Sequence, residues 1–276
     1  MKLRFTKMHG LGNDFVMVDA ISQKVSITPE RAKKLADRHF GIGCDQVLVV
    51  EPPTSSDADF FYRIFNHDGN EVENCGNGAR CFAVFVRMRK LTGKRSIRAQ
   101  TIGGNLLLHV HEDNQVTVDM GVPRMLPESI PFIAEQQAVT YPLHLDECTL
   151  DISAISMGNP HAVTIVDDVS TFDIKTLGPQ VEHHSAFPNR VNAGFMQVLS
   201  RTQAQVRVYE RGAGETLACG TGACAAVVAG RLRQLLDCKV EVQLAGGKLT
   251  IEWQGDGHPV MMTGPASTVF HGQITL

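Results

Sequence analysis

The chain has 276 residues, of which 43% are hydrophobic and 20% charged, a balance typical of a soluble globular protein with one large or two ordinary domains. The formal net charge of −3 gives no electrostatic reason to expect nucleic acid or an anionic membrane surface as a partner. No apolar run approaches the roughly 18 residues of a membrane-spanning helix, and the first residues lack the apolar core of a signal peptide, so we expect a cytoplasmic protein.

The first half of the chain predicts short strands around one long helix. A glycine-rich turn within residues 4–19 leads into an apolar strand, and Thr28 followed by Pro29 is typical of the start of a helix, which we expect to run to about Arg38. Apolar residues from Gly78 to about Lys90 suit a largely buried helix. Further strands are predicted at 47–51, 60–66, 96–101, 104–111 and 115–120.

Two cysteine motifs stand out, one in each half of the chain. The first is Glu-Val-Glu-Asn-Cys-Gly-Asn-Gly-Ala-Arg at 71–80, and the second is Glu-Thr-Leu-Ala-Cys-Gly-Thr-Gly-Ala-Cys at 215–224. Each has a glutamate four residues before the cysteine, then Gly-x-Gly-Ala and an apolar run that indicates a helix. Cys75 and Cys219 are 144 positions apart, so a duplicated unit is the simplest interpretation.

Other features recur in the same order at nearly the same spacing. The matched pairs are Asn13 with Asn159, Gln46 with Asn192, Arg63 with Arg207, Gly104 with Gly247, and Gly121 with Gly264. We therefore predict an α+β fold of two pseudo-symmetric domains from an internal duplication, each a curved, barrel-like β-sheet around a central helix. The expected boundaries are 1–121 for the half with Cys75, against which a tail of about 265–276 packs, and 122–264 for the half with Cys219.

The position of each cysteine indicates acid/base chemistry. A helix N-terminus presents unpaired N–H groups and a partial positive charge, which bind carboxylates and favour a thiolate. We expect the pKa of such a thiol to move toward neutrality. If both thiols face one α-carbon, a thiolate can remove the α-proton while a thiol delivers another from the opposite side, which describes a two-base racemase or epimerase.

Other interpretations stay open at this point. Cys75 and Cys219 could be repeated packing residues, a redox dithiol, or one of them a hydrolase nucleophile with His161 as its base. Asn13 and Asn159 each follow a glycine and could be left-handed turn residues. The remaining cysteines (Cys44, Cys81, Cys148, Cys224 and Cys238) read as small core residues. We expect no metal site and no cofactor, because the chain shows no zinc spacing, no full dinucleotide fingerprint and no pattern that specifies a pyridoxal-phosphate lysine.

The first cysteine motif resembles that of the diaminopimelate epimerases, which interconvert LL- and meso-diaminopimelate without a cofactor. The resemblance covers nearly the whole chain. It includes residues 9–15, 41–46, 157–161 and 209–216 and both cysteine motifs. Proline racemases and phenazine-type isomerases share the fold but differ at the first motif. An epimerase for another amino acid, such as proline or hydroxyproline, is therefore the alternative within the fold.

The resemblance also implies roles for individual residues. Cys75 and Cys219 correspond to the catalytic acid/base pair, with His161 and Glu210 assisting. The implied substrate contacts are Asn13, Gln46, Asn66, Gly76, Asn77, Asn159, Asn192, Glu210, Arg211, Gly220 and Thr221. Arg211 would bind the distal carboxylate of a substrate with two amino-acid heads, whereas we expect Arg80 to lie past the site in a structural pairing. Partners are then the small-molecule substrate and a second copy of the chain in a homodimer.

Overall fold

The computed structural model describes residues 2–72 and 75–275, so Glu73 and Asn74 of the first cysteine motif lie outside the described residues. The chain divides into two compact units. One comprises the residues up to Asp119 together with the segment from Thr263 onward, and the other runs from Met120 to Met262.

Four α-helices and eighteen strands make up the described part of the chain. The helices are α1 (Pro29–Ala36), α2 (Gly76–Met88), α3 (Ile174–Glu182) and α4 (Gly220–Leu232). The strands before α3 are β1 (Lys2–Gly10), β2 (Asn13–Asp19), β3 (Gln46–Glu51), β4 (Phe60–Asn66), β5 (Glu71–Val72), β6 (Ser96–Thr101), β7 (Gly104–Val110), β8 (Val116–Asp119), β9 (Tyr141–His144), β10 (Thr149–Ser156) and β11 (Pro160–Ile165). Those after it are β12 (Asn192–Ser200), β13 (Gln203–Glu210), β14 (Gly214–Glu215), β15 (Lys239–Leu244), β16 (Gly247–Trp253), β17 (Val260–Gly264) and β18 (Ser267–Thr275).

Helix α1 begins where the sequence predicts and ends two residues earlier. Thr28 is its N-cap and accepts a hydrogen bond from the Arg31 backbone N–H, with proline at the first position. The helix stops at Ala36, before the predicted end at about Arg38, because Asp37 leaves the helical conformation (φ −59°, ψ 122°) and its carboxylate accepts from the backbone N–H groups of His39 and Phe40, both at 2.7 Å. These bonds start a turn in place of another helical turn.

In the first unit, the sheet mixes antiparallel and parallel neighbours. Strand β1 pairs antiparallel with both β18 and β2, β2 pairs parallel with β3, and β3 pairs antiparallel with β4. Strand β4 pairs parallel with β6, which continues antiparallel through β7 to β8. Each parallel connection leaves room for a helix: α1 lies between β2 and β3, and α2 between β4 and β6.

The second unit repeats this order of strands. Strand β10 pairs antiparallel with β11, β11 parallel with β12, β12 antiparallel with β13, and β13 parallel with β15. The registers also agree, because Phe15 lies opposite Gln46 in the first unit and His161 lies opposite Asn192 in the second, each 146 positions later. The structure confirms the predicted α+β class and the duplication, and α3 occupies in the second unit the place of α1 in the first.

The cysteine-linked helix of each unit is buried against its own sheet. In α4, ten of the 13 residues are buried, which leaves the helix almost no face toward solvent. It contacts strands β10 to β13 and β16, and α2 contacts β1, β2, β3, β7 and β8 in the same way. A second core on the other face of each sheet is closed by α1 or α3. In the described part of the chain, none of the helices combines the length and hydropathy that crossing a bilayer requires.

Candidate active site

Cys75 is the N-cap of α2. Its backbone is extended (φ −149°, ψ 105°), and its Sγ accepts a hydrogen bond from the Gly78 backbone N–H at 3.4 Å. The side chain is partly exposed, and its Sγ lies 3.8 Å from Asn13 Oδ1, close enough for the thiol to donate a hydrogen bond. The helix N-terminus therefore presents both a thiol and backbone donors, as the sequence predicts.

Asn13 and Asn77 lie beside this thiol in one hydrogen-bonded group. Asn77 Nδ2 donates to Asn13 Oδ1 at 3.4 Å, and the Arg80 guanidinium donates to Asn77 Oδ1 at 3.0 Å. Arg80 is fully buried, and its bonds to Asn77 and the Pro265 carbonyl are the kind of structural pairing that the sequence analysis expects of it. Left-handed backbone occurs at Leu11 and Gly12 and not at Asn13, so Asn13 is not the turn residue of the alternative interpretation.

Gln46 and Asn66 form a second pair in the first unit. They face each other across β3 and β4, and Gln46 Nε2 donates to Asn66 Oδ1 at 2.8 Å. Gln46 Oε1 is buried and, among the described residues, has no hydrogen-bond partner. Buried polar atoms normally have hydrogen-bond partners, so this amide oxygen is an acceptor available to a bound ligand.

Two titratable neighbours of Cys75, Tyr62 and Cys81, are neutral. The Tyr62 hydroxyl and the Leu48 side chain lie where a side chain on Gly78 would project. Burial, with a smaller contribution from the two neighbouring thiols, raises the pKa of Tyr62 well above its ordinary value. Burial likewise raises the pKa of Cys81 to about 12. Tyr62 and Cys81 are therefore both uncharged at neutral pH.

Cys219 is the N-cap of α4 and is more deeply buried than Cys75, with 4% of its surface exposed. Its Sγ lies 3.6 Å from Thr221 Oγ1. Burial, followed by the charge of Glu210, raises the pKa of this thiol well above its ordinary value. The predicted shift toward neutrality is therefore wrong for Cys219 in this structure, because loss of solvation outweighs the hydrogen bonds at the helix end.

Asn159 and His161 are linked to Cys219 through the Thr221 hydroxyl. Asn159 Nδ2 is 3.3 Å from Thr221 Oγ1, and its Oδ1 is 3.0 Å from His161 Nε2. Burial, with a smaller effect from Arg211, lowers the pKa of His161 to about 3, so the ring is neutral at physiological pH. The left-handed residue is Gly158, which leaves Asn159 available as a contact residue.

The remaining predicted contacts of the second unit lie at the ends of β12 and β13. Asn192 Nδ2 donates to the Pro160 carbonyl at 2.9 Å, and Asn192 Oδ1 accepts from the Arg211 backbone N–H at 3.0 Å. Glu210 accepts from the Thr216 hydroxyl at 2.5 Å. The exposed Arg211 side chain donates to the Asn189 carbonyl at 3.1 Å. This hydrogen bond orients the guanidinium, and because a carbonyl is neutral the positive charge is not compensated.

Within each unit, the structure brings the predicted residues to the N-terminus of the cysteine-linked helix and the neighbouring strand ends. Sequence reasoning overlooked Asp45, which accepts a hydrogen bond from Asn13 Nδ2 at 2.9 Å, although its place beside Gln46 in the 41–46 motif was an available signal. Of the five cysteines read as core residues, Cys148 is exposed and Cys238 only partly buried, so that prediction is wrong for Cys148. Among the described residues, no group of His, Cys, Asp and Glu side chains could hold a metal ion.

Comparison with known proteins confirms the resemblance seen in the sequence. A family model described as diaminopimelate epimerase matches residues 5–126 and 153–269. Diaminopimelate epimerases from Teredinibacter turnerae and Pseudomonas syringae pv. tomato are 68% and 58% identical to the chain, each over all 276 residues and the full length of the relative.

Solved structures with the same fold are more distant in sequence. A phenazine biosynthesis protein of the PhzF family from Bacillus anthracis superposes with a TM-score of 0.69 at 18% identity, covering all of both chains. A hydroxyproline epimerase from Agrobacterium vitis superposes with a TM-score of 0.70 at 13% identity, covering 99% of this chain and 92% of that one. At such identities the likeness shows the fold alone.

Proposed function

The chain belongs to the diaminopimelate epimerase family, and from this premise we propose that it is an isomerase that interconverts LL- and meso-diaminopimelate without a cofactor. The observation that supports this most directly is the pair of cysteines that cap α2 and α4, each followed by Gly-x-Gly. Cys75 contacts Asn13 directly, and Cys219 is linked to Asn159 through the Thr221 hydroxyl. The product would serve lysine and peptidoglycan precursor synthesis.

The proposed mechanism uses the two sulfurs on opposite faces of one α-carbon. One cysteine, as thiolate, removes the α-proton, and the other, as thiol, delivers a proton from the opposite side, so the configuration inverts. The raised pKa of Cys219 keeps it protonated at neutral pH, which suits the donor in the direction that starts with the Cys75 thiolate. In the reverse direction the two sulfurs exchange roles, as microscopic reversibility requires.

The carbanion formed next to a carboxylate needs strong stabilisation. The backbone N–H groups at Gly76 and Asn77 and at Gly220 and Thr221 belong to the first turns of their helices, where N–H groups have no intrahelical acceptor. We propose that they hold the α-carboxylate and stabilise the charge that develops on it.

The remaining contacts suit a substrate with a second amino-acid head. The Arg211 guanidinium is exposed, and two parallel N–H groups of a guanidinium match a carboxylate. Glu210 supplies a negative charge beside it for an ammonium group. The amides of Asn66, Asn159 and Asn192 add neutral donors and acceptors, and His161 positions Asn159. A proline ring offers no distal carboxylate to Arg211, so we expect proline and hydroxyproline to be poor substrates.

A deuterium experiment tests this proposal. Incubation of the protein with LL-diaminopimelate in D₂O, without added cofactor, should produce the meso isomer with deuterium at the inverted α-carbon. Cys75→Ala and Cys219→Ala should each abolish epimerisation, whereas Cys148→Ala, which removes an exposed thiol, should retain the wild-type rate. Full epimerisation by either active-site variant would eliminate the two-base scheme, and faster turnover of 4-hydroxyproline would reassign the substrate.

We also propose that the protein forms homodimers in the cytoplasm, as the resemblance implies. Light scattering coupled to size-exclusion chromatography measures the mass directly. A mass near 30 kDa at micromolar concentration would contradict the dimer.

A further inference from the structure

A cluster of charged residues lies behind Asn13, on the opposite side from the thiol. Asp45 Oδ2 accepts from Asn13 Nδ2 at 2.9 Å and from the Asp14 backbone N–H at 3.1 Å. Its other oxygen, Oδ1, pairs with the Arg38 guanidinium at 2.8 Å. Arg38 also pairs with the Asp14 carboxylate at 2.9 Å, so the position of Asp45 is fixed from two sides.

The charges at the two ends of this network determine which way the Asn13 amide points. A carboxylate can only accept hydrogen bonds and a guanidinium can only donate them. Asp45 therefore selects the NH₂ end of Asn13, and Arg80 selects the oxygen end of Asn77, so that Asn77 Nδ2 faces Asn13 Oδ1. Both constraints direct the Asn13 oxygen toward the Cys75 thiol at 3.8 Å.

The second unit lacks this constraint. Its matched asparagine, Asn159, contacts the Thr221 hydroxyl and the neutral ring of His161, and each of these groups can serve as donor or acceptor. The position that matches Asp45 is Val191, 146 residues later, which has no polar side chain. The two units therefore differ at this asparagine, because only the amide beside Cys75 has a fixed direction.

We propose that Asp45 is a positioning residue that, by binding Asn13 Nδ2, keeps Asn13 Oδ1 as the acceptor of the Cys75 thiol proton. This inference rests on the proposed function, in which Cys75 exchanges a proton with the substrate. An oxygen acceptor stabilises the thiol and repels the thiolate, whereas the Gly78 N–H favours the thiolate. Asp45 thereby sets the balance between the two protonation states of Cys75.

Among the described residues, three other groups lie close to Cys75 or to its asparagine neighbours, and their charge states do not change with pH in the range of the test. Tyr62 and Cys81 stay neutral, since burial raises the pKa of both. Arg80 is charged at every accessible pH and is held by Asn77 Oδ1 and the Pro265 carbonyl. Among the described groups, the Asn13 contact and the charge of Asp45 itself are therefore the two features through which substitution of Asp45 would change Cys75 reactivity between pH 6 and 10.

Site-specific alkylation separates these two causes. Asp45→Asn removes the acceptor-only group at 2.9 Å and leaves only the longer 3.4 Å contact with Asn77 to orient the Asn13 amide. The amide can then turn its NH₂ end toward the sulfur, so the pH at which iodoacetamide modifies Cys75 should fall by about one unit, roughly a tenfold change in thiolate fraction. Peptide mass spectrometry measures the Cys75 rate alone. The shift should persist in 0.5 M KCl, because salt screens a distant charge but not a contact. Asp59→Asn, which removes a carboxylate paired with Lys94 in the same unit, should leave the profile unchanged.

Two outcomes would overturn the proposal: an unchanged Cys75 profile in folded Asp45→Asn protein, or a shift that disappears in 0.5 M KCl. If that variant does not fold, Asp45→Glu retains the charge, but its longer side chain cannot keep both Oδ2 contacts, and the same fall is expected. Alkylation requires no turnover. A shift in a protein without epimerase activity would therefore disprove the proposed function alone, and an active enzyme without the shift would disprove the role of Asp45 alone.

Discussion

The close contact of Gly222 with the second thiol leads to a specific prediction for Gly222→Ala. A methyl group on Gly222 would lie 2.8 Å from Val208 Cγ2 and 3.2 Å from Cys219 Sγ, whereas carbon contacts normally lie at about 3.5–4.0 Å. Val208 is buried in strand β13 and cannot easily move, so the thiol must shift. Overpacking costs about 1–3 kcal/mol, partly offset by alanine's better helix propensity of up to about 1 kcal/mol.

We therefore expect the free energy of unfolding to fall by about 1–2 kcal/mol. Displacing a reacting group by about 1 Å can reduce the rate about 100-fold, so kcat should fall about 10- to 100-fold. Urea denaturation followed by circular dichroism measures the stability. Deuterium incorporation into diaminopimelate in D₂O measures turnover. This assay is run without urea, where the variant is fully folded.

Gly230→Ala provides the matched control on the same helix. Its methyl group would collide with Leu236 and lie 3.1 Å from Met196 Cε, two turns or more from the cysteine. This variant should lose comparable stability and keep wild-type kcat. Equal kcat losses in the two variants, or full activity in Gly222→Ala, would refute the reasoning that the methyl group acts by displacing the sulfur.

Three further predictions concern titratable groups. Burial lowers the pKa of His161 to about 3, so as the pH falls the unfolded chain takes up a proton before the folded chain does, and the free energy of unfolding should decrease between pH 6.5 and 3. In urea denaturation at several pH values, His161→Gln should make this decrease shallower. A decrease as steep as that of the wild type would contradict the low pKa of His161. Although burial alone would raise the pKa of Asp14, hydrogen bonds from an arginine and a lysine lower it, so its stabilisation is present above pH 3.8 and is lost below it. Asp14→Asn should therefore be less stable than wild type at pH 7 by a gap that narrows below pH 3.8; a constant gap would argue against these bonds. Finally, iodoacetamide at pH 8 should modify the exposed Cys148 and leave Cys81 unmodified, because burial raises the pKa of Cys81 to about 12. Peptide mass spectrometry measures both modification rates, and equal rates for the two cysteines would contradict the burial of Cys81.

Much of the fold was predictable because the sequence repeats. The offset of 146 between Asn13 and Asn159 recurs in the strand registers, and strands β4 and β6 begin and end at the predicted residues. Helix α3 was not predicted, since Gly178 and Pro179 interrupt its helical pattern. Pro179 lies one turn inside the helix, where packing of Ile174 and Val181 against the core outweighs its poor helix propensity.

The residues of the site were predictable from sequence motifs and their spacing, whereas the environment of each side chain was not. The glycines after Cys75 and Cys219 indicated helix N-termini, and the structure has them there. The pKa of Cys219 was not predictable, because its direction depends on how deeply the fold buries the sulfur. Asp45 was missed for a similar reason, since its bond to Asn13 depends on β2 and β3 lying side by side.

The order of the strands in the first unit has a consequence for synthesis on the ribosome. Strand β18 completes that unit by pairing with β1, and the Pro265 carbonyl accepts from the buried Arg80 side chain, yet both follow the entire second unit in the chain. The second unit is continuous in sequence and can fold as it emerges from the ribosome. In the first unit, one edge of β1 stays unpaired until the roughly 140 residues of the second unit have also been translated. During that interval β1 is an open strand edge, the kind of surface on which nascent chains aggregate or recruit chaperones.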